Sequence, residues 1–256
     1  MNTTFRELLA FHIEAQRGMF IDEAARAADG SGVWIFSARE SDPTWNLFAV
    51  LDADVALRHE ARIAREFDAR RREPVWYLAD RDGTAQPHPL PPPWRRFSSD
   101  CWMARDGADP APPVPGLSLM RVETAADAET FNRLYADAFW DGEPDPGAAV
   151  PIPDSVPDAG GWMEIRHWLV RESGVPKGLI SAVSRDGLTG LYNVGTLRSE
   201  RGRGLGRALL QMGLAEEARR GAARFFLLTE RDKPLEAFYN RFGFRTVTTG
   251  GYYRKG

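Results

Sequence analysis

The sequence predicts a mixed α/β (α+β) protein: a mixed, mostly antiparallel central sheet flanked by helices, preceded by a smaller α/β unit. Three observations predict it. A strand-like run, residues 188–197, leads into Arg201-Gly202-Arg203-Gly204-Leu205-Gly206 and then into a helical pattern with Leu205, Ala208, Leu209, Met212 and Ala215 on one face. Strand and helix patterns recur on both sides of that turn. Residues 106–116, Asp-Gly-Ala-Asp-Pro-Ala-Pro-Pro-Val-Pro-Gly, have no periodicity and enough proline to make a stiff connector. The expected division is therefore 1–105, a linker at 106–116, and 117–256.

In the first part, residues 4–16 have helical spacing, and residues 33–38 and 45–51 are strand-like. Residues 54–70 form a helical pattern, followed by strands at 75–79 and near 97–104. In that helix Arg58, Arg62, Arg65 and residues 70–72 interleave with Glu60, Glu66 and Asp68, as a solvated face would rather than a nucleic-acid patch.

The second part begins with a short strand at 117–122. Thr124 stands at the N-cap of a helix over 126–139, whose apolar face is Phe131, Leu134, Tyr135, Ala138 and Phe139. Residues 140–161 are expected as loop, because Pro144, Pro146, Pro151, Pro153 and Pro157 forbid a long helix. Residues 167–172 and 178–185 form a hairpin around residues 173–176, and Asp186-Gly187 is a two-residue turn into the strand 188–197. After the glycine turn and its helix come a strand at 224–229, a short helix at 234–241 and a final strand from Phe244.

Composition excludes several classes. A net charge of −3 gives no electrostatic case for nucleic acid. No apolar run reaches the length of a membrane span, and the first eight residues carry charge where a signal peptide needs an apolar core. One cysteine, Cys101, forbids an internal disulfide and points to a reducing compartment, so cytoplasm is expected. His12, His59, His88 and Cys101 lack metal-ligand spacing, and no metal site is expected.

The glycine turn carries chemistry. Gly202, Gly204 and Gly206 leave no Cβ in the way, and the following helix offers unpaired N–H groups and a positive dipole end, which together make an anion site. About thirty residues later comes Ala237-Phe238-Tyr239-Asn240-Arg241-Phe242-Gly243-Phe244. Together the two segments resemble the GNAT superfamily of acyl-CoA-dependent N-acyltransferases, over roughly residues 117–256. Arg201, Gly204 and Gly206 match the family's turn motif. The first part echoes the second half of that fold by topology alone, as a degenerate copy would. Asp52 and Asp54 stand where its glycine turn should be and would repel a pyrophosphate.

The resemblance implies acetyl-CoA as co-substrate and direct transfer to a primary amine without a covalent enzyme intermediate. Backbone N–H groups of Gly202, Arg203, Gly204, Leu205, Gly206 and Arg207 would cradle the pyrophosphate, beside Arg201. Val194, Thr196 and Leu197 would pair with the pantetheine arm, with Gly195 allowing a bulge. Tyr239 would donate to the departing sulfur. The family's asparagine is replaced here by Asp232, and Lys233 beside it could meet a phosphate as a point charge. The general base is not identifiable; Glu230 is a weak candidate, with Glu164 and Asp137 as others. An acidic, aromatic loop (Trp140, Asp141, Glu143, Asp145, Asp154, Asp158, Trp162) would suit a cationic amine, and would equally be a soluble surface. A small-molecule amine is the expected acceptor. The alternatives are a non-catalytic acyl-CoA sensor and a protein acyltransferase docking through the first part. Oligomeric state, acyl length and acceptor identity are not encoded legibly.

Overall fold

A computed structural model describes residues 4–79, 90–109, 114–140, 155–158, 161–231 and 234–256. In chain order its elements are α1 (Phe5–Gln16), β1 (Glu23–Arg26), β2 (Gly32–Phe36), β3 (Leu47–Val50), α2 (Ala53–Arg58), α3 (Glu60–Ala69), β4 (Val75–Ala79) and β5 (Trp94–Asp106). There follow β6 (Leu117–Arg121), α4 (Ala125–Phe139), β7 (Ser155–Asp158), β8 (Gly161–Glu172), β9 (Val175–Arg185) and β10 (Leu188–Thr196). The last four are α5 (Leu205–Arg219), β11 (Arg224–Glu230), α6 (Pro234–Asn240) and β12 (Arg245–Lys255).

The chain divides into two compact units, one of Met1–Ala104 with Leu228–Gly256, the other of Arg105–Leu227. The sequence division groups 117–256 together. In the structure Leu228–Gly256 packs with the first unit, because β12 is antiparallel to both β4 and β5 and lies between them.

In the first unit the strands run β1-β2-β3-β4-β12-β5. Only β3 and β4 pair in parallel, and α2 and α3 supply the crossover that a parallel pair requires. Ile63 and Phe67 of α3 pack with Phe48 and Trp76 of the sheet, all four fully buried. Each such side chain contributes about 2 kcal/mol of burial. Thr4 caps α1 by accepting from the Glu7 N–H at 3.3 Å. Asp52 caps α2 by accepting from the Val55 N–H at 3.1 Å, with Asp54 in the same first turn. That helix terminus is closed by its own carboxylates, as the sequence implied.

One element of this unit departs from expectation, and one strand lies where the sequence raised none. The helix over 54–70 is two helices, because His59 leaves the helical conformation (φ −111°, ψ 15°). Residues 23–26 form an edge strand despite a helix-favouring composition, since four residues of pairing with β2 outweigh so short a propensity.

In the second unit the order is β11-β10-β9-β8-β6, with β7 also on β8. All pairs are antiparallel except β10 with β11. Thr124 and Asp127 form a reciprocal capping box that starts α4. Asp186 and Gly187 both have positive φ, at 50° and 76°, which makes the tight turn between β9 and β10. Phe131, Leu134 and Ala138 of α4 pack on Leu169 and Leu179, and α5 packs on β9 and β10. The expected loop at 140–161 contains β7, paired antiparallel with the start of β8, and β8 begins six residues earlier than its sequence signal. The acidic side chains proposed for that loop lie outside the described residues, apart from the backbone of Asp158.

Candidate functional site

The site is built around the start of α5. Gly204 is its N-cap, in the left-handed region at φ 82°, where any side chain would be strained. It has no side-chain cap, and the first turn holds no acidic residue. The first intrahelical bond runs from the Ala208 N–H to the Gly204 carbonyl at 3.1 Å. The N–H groups of Leu205, Gly206 and Arg207 therefore have no intrahelical acceptor. A Cβ placed on Gly202, Gly204 or Gly206 would meet no atom within 4 Å. Backbone conformation explains Gly202 and Gly204, at φ 79° and 82°, whereas nothing in the chain crowds Gly206 and the space in front of the helix is open. A phosphate fits it, since it brings the oxygens that uncapped N–H groups lack.

Side chains around the turn are used structurally. The Arg201 guanidinium donates to the Ala138 carbonyl at 2.8 Å, near the C-terminus of α4, where a cation is favoured. Arg203 pairs with Glu200 and with Glu172, the latter at 3.0 Å. Lys177 also meets Glu200 at 2.5 Å, and these two cations hold the Glu200 carboxyl below its usual range. Leu205 is buried and anchors the turn, while Arg207 is exposed. An anion at this place would meet main-chain N–H groups, with Arg201 bracing the turn.

The strand that feeds the turn is irregular. β10 pairs with β11 only over Leu188–Gly190 against Arg224–Phe226, and then continues to Thr196. On its other side Tyr192 faces Ser181 and Gly195 faces Leu179, so β10 carries one extra residue there. Asn193 opens that bulge in the left-handed region, φ 54°. Gly195 is required by packing: a Cβ there would lie 2.9 Å from the Phe139 ring and 3.1 Å from the Ala138 Cβ. The Leu197 N–H donates to the Lys177 carbonyl at 2.9 Å, and its carbonyl accepts from the Glu200 N–H at 3.0 Å. Its main chain is already paired. Alternation along the strand turns the backbone groups of Thr196, and of Val194 two residues back, toward the opposite, open edge. Of the three residues expected to meet an extended ligand arm, those two remain available.

The catalytic candidates are placed unevenly. Tyr239 of α6 is buried against Phe238 and Phe244, and that burial pushes its phenol up to about 12. Glu230 is exposed at the end of β11. Lys233 and Asp232 lie outside the described residues. Glu164 is ion-paired with Arg166, and Asp137 accepts from the Arg198 N–H at 2.9 Å, so both have structural partners. Cys101 is buried and its thiol is pushed up to about 12, which suits no nucleophilic role. Among the described residues no group of three or more His, Cys, Asp or Glu is placed to hold a metal. No described helix is long and apolar enough to cross a membrane.

Sequence reasoning missed Asn193. Its side-chain amide donates to the Ser181 hydroxyl at 3.1 Å, and that hydroxyl is 2.7 Å from His167 Nδ1. A polar residue in mid-strand before Val-Gly is the one local signal that could have found it.

An uncapped, glycine-lined helix N-terminus follows a strand whose pairing with its parallel neighbour ends at Gly190. Residues 128–244 match the acetyltransferase (GNAT) family, and the chain carries a GNAT domain. A GCN5-related N-acetyltransferase from Kribbella flavida is similar at 21% identity, with TM-score 0.70, over 100% of this chain and 96% of that one. A GCN5-related N-acetyltransferase from Sphaerobacter thermophilus is similar at 16% identity and TM-score 0.59, over 88% and 81%. A tandem GNAT protein from the clavulanic acid biosynthesis pathway is similar at 16% identity and TM-score 0.56, over 81% and 74%. These likenesses are of fold. None of the curated proteins matches the sequence.

Proposed function

We propose that the protein is an N-acetyltransferase that moves an acetyl group from acetyl-CoA to a primary amine. The observation that carries this reading is the start of α5, where uncapped N–H groups face open space lined by three glycines. Backbone N–H groups of residues 202–207 would hold the pyrophosphate, and the main chain of Val194 and Thr196 would hold the pantetheine arm. Acetyl-CoA supplies an activated acyl carbon. The amine nitrogen bonds to that carbon, the C–S bond breaks, and one proton passes in net from the amine to the sulfur. Tyr239 is the donor toward sulfur in this reading. With its phenol near 12 and a thiol near ~8.5, it acts as a persistent hydrogen-bond donor rather than as a source of a free proton. Glu230 is the base candidate, and Lys233 a further contact to phosphate.

Titration of CoA and acetyl-CoA into the wild-type protein and Gly204→Asp tests the reading. Binding in the wild type that vanishes in the variant is expected, because the new carboxylate stands in the phosphate position. Equal affinity in both proteins, or none in the wild type, overturns the site.

A further inference from the structure

Three polar residues on adjacent strands of the second unit have no part in the reaction just described. His167 of β8 and Ser181 of β9 are direct cross-strand partners, 4% and 2% exposed. Phe131 of α4 covers the imidazole edge-on, with ring centroids 4.9 Å apart. Asn193, the bulge residue of β10, reaches Ser181 from the far side. The Ser181 hydroxyl therefore joins an imidazole on one side to a side-chain amide on the other. A buried hydroxyl with two well-placed partners resists displacement, since moving either partner leaves polar atoms unsatisfied.

We propose that Asn193, Ser181 and His167 form a lock that sets the geometry of the β10 bulge and so aligns the acyl-pantetheine arm; this rests on the acetyl-CoA reading above. They are positioning residues. Two constraints divide the work. Gly195 beneath Phe139 fixes which residue can sit under α4. The lock fixes the direction in which the strand leaves the bulge, because Asn193 is tied by its side chain while its backbone holds φ 54°. Asparagine tolerates that region better than most residues, and glycine better still. A residue chosen only for conformation would be glycine. Asparagine adds a tether from the bulged strand to β9 and, through the Ser181 hydroxyl, to β8.

The lock should affect the arm and leave the phosphates alone. Its three residues lie upstream of the turn, and the start of α5 is shaped independently by Gly204 and by Arg201 on the Ala138 carbonyl. CoA and adenosine 3′-phosphate 5′-diphosphate share their phosphates, and only CoA has the arm. Calorimetric titration of both ligands into the wild type, Asn193→Gly and Ser181→Ala separates the contributions. Asn193→Gly keeps the backbone conformation and deletes the tether, and Ser181→Ala deletes the shared hydroxyl. In each variant CoA affinity is expected to fall about tenfold, the loss of roughly one or two hydrogen bonds' worth of alignment. Affinity for the armless nucleotide is expected to stay within about twofold. The lock is overturned if the two ligands weaken together, if neither weakens, or if the wild type binds both equally. A wild type that binds neither ligand overturns the acetyl-CoA reading itself, and the lock with it.

Discussion

Arg166 of β8 and Glu217 of α5 form an ion pair that is 5% and 1% exposed, with Arg166 Nε 3.0 Å from both carboxylate oxygens. Trp168 donates to the same carboxylate at 3.0 Å, so Glu217 gathers two side chains of one strand onto one helix. Removing Glu217 leaves the buried guanidinium to the mostly exposed Glu164. Glu217→Ala is expected to cost about 3–5 kcal/mol in chemical denaturation, and Arg166→Met with Glu217→Leu to cost less than either single change. A Glu217→Ala loss under about 1 kcal/mol would mean that water or another group takes over the guanidinium.

Asp100 accepts from the hydroxyls of Tyr77 and Tyr252 at 2.7 and 2.9 Å, deep in the first unit. Burial raises its carboxyl to about 7, against a reference of 3.8. Because the folded value is the higher one, the stability this group contributes is complete below about pH 4 and is lost as pH rises through 7. Wild type is therefore expected to lose about 2–3 kcal/mol relative to Asp100→Asn between pH 5 and pH 8. Urea midpoints of both proteins across that range check this. Parallel curves would place the titration elsewhere.

Tyr239→Phe is expected to reduce thiol release from acetyl-CoA with a panel of primary amines at least about tenfold, since one donor to the leaving group is gone. CoA affinity should hold within about twofold, because the phosphate nest is main chain. Unchanged turnover would remove the tyrosine from the reaction.

Much of this was legible locally. The caps at Asp52 and Thr124, the Asp186-Gly187 turn and the open glycine turn each depend on residues within one turn of one another. What was not legible depends on partners far along the chain. Nothing near Glu23 announces the strand that pairs with β2, and nothing near Arg201 says its guanidinium belongs to the Ala138 carbonyl. Asn193, Ser181 and His167 meet only because three strands lie side by side. The available edge at Thr196, rather than Leu197, follows from a one-residue bulge that shifts the alternation of every residue after it.

The placement of β12 has a consequence for synthesis. Its eleven residues fill the gap between β4 and β5, two strands made some 140 to 180 residues earlier. Until residues 245–255 have been synthesised, both of those strands wait with a bare edge, exposed to any other extended segment. Residues 1–105 expressed by themselves would carry that defect permanently. An expression vector for this unit must encode residues 228–256 as well, through a designed connection, or it will yield a chain that seeks its missing strand from its neighbours.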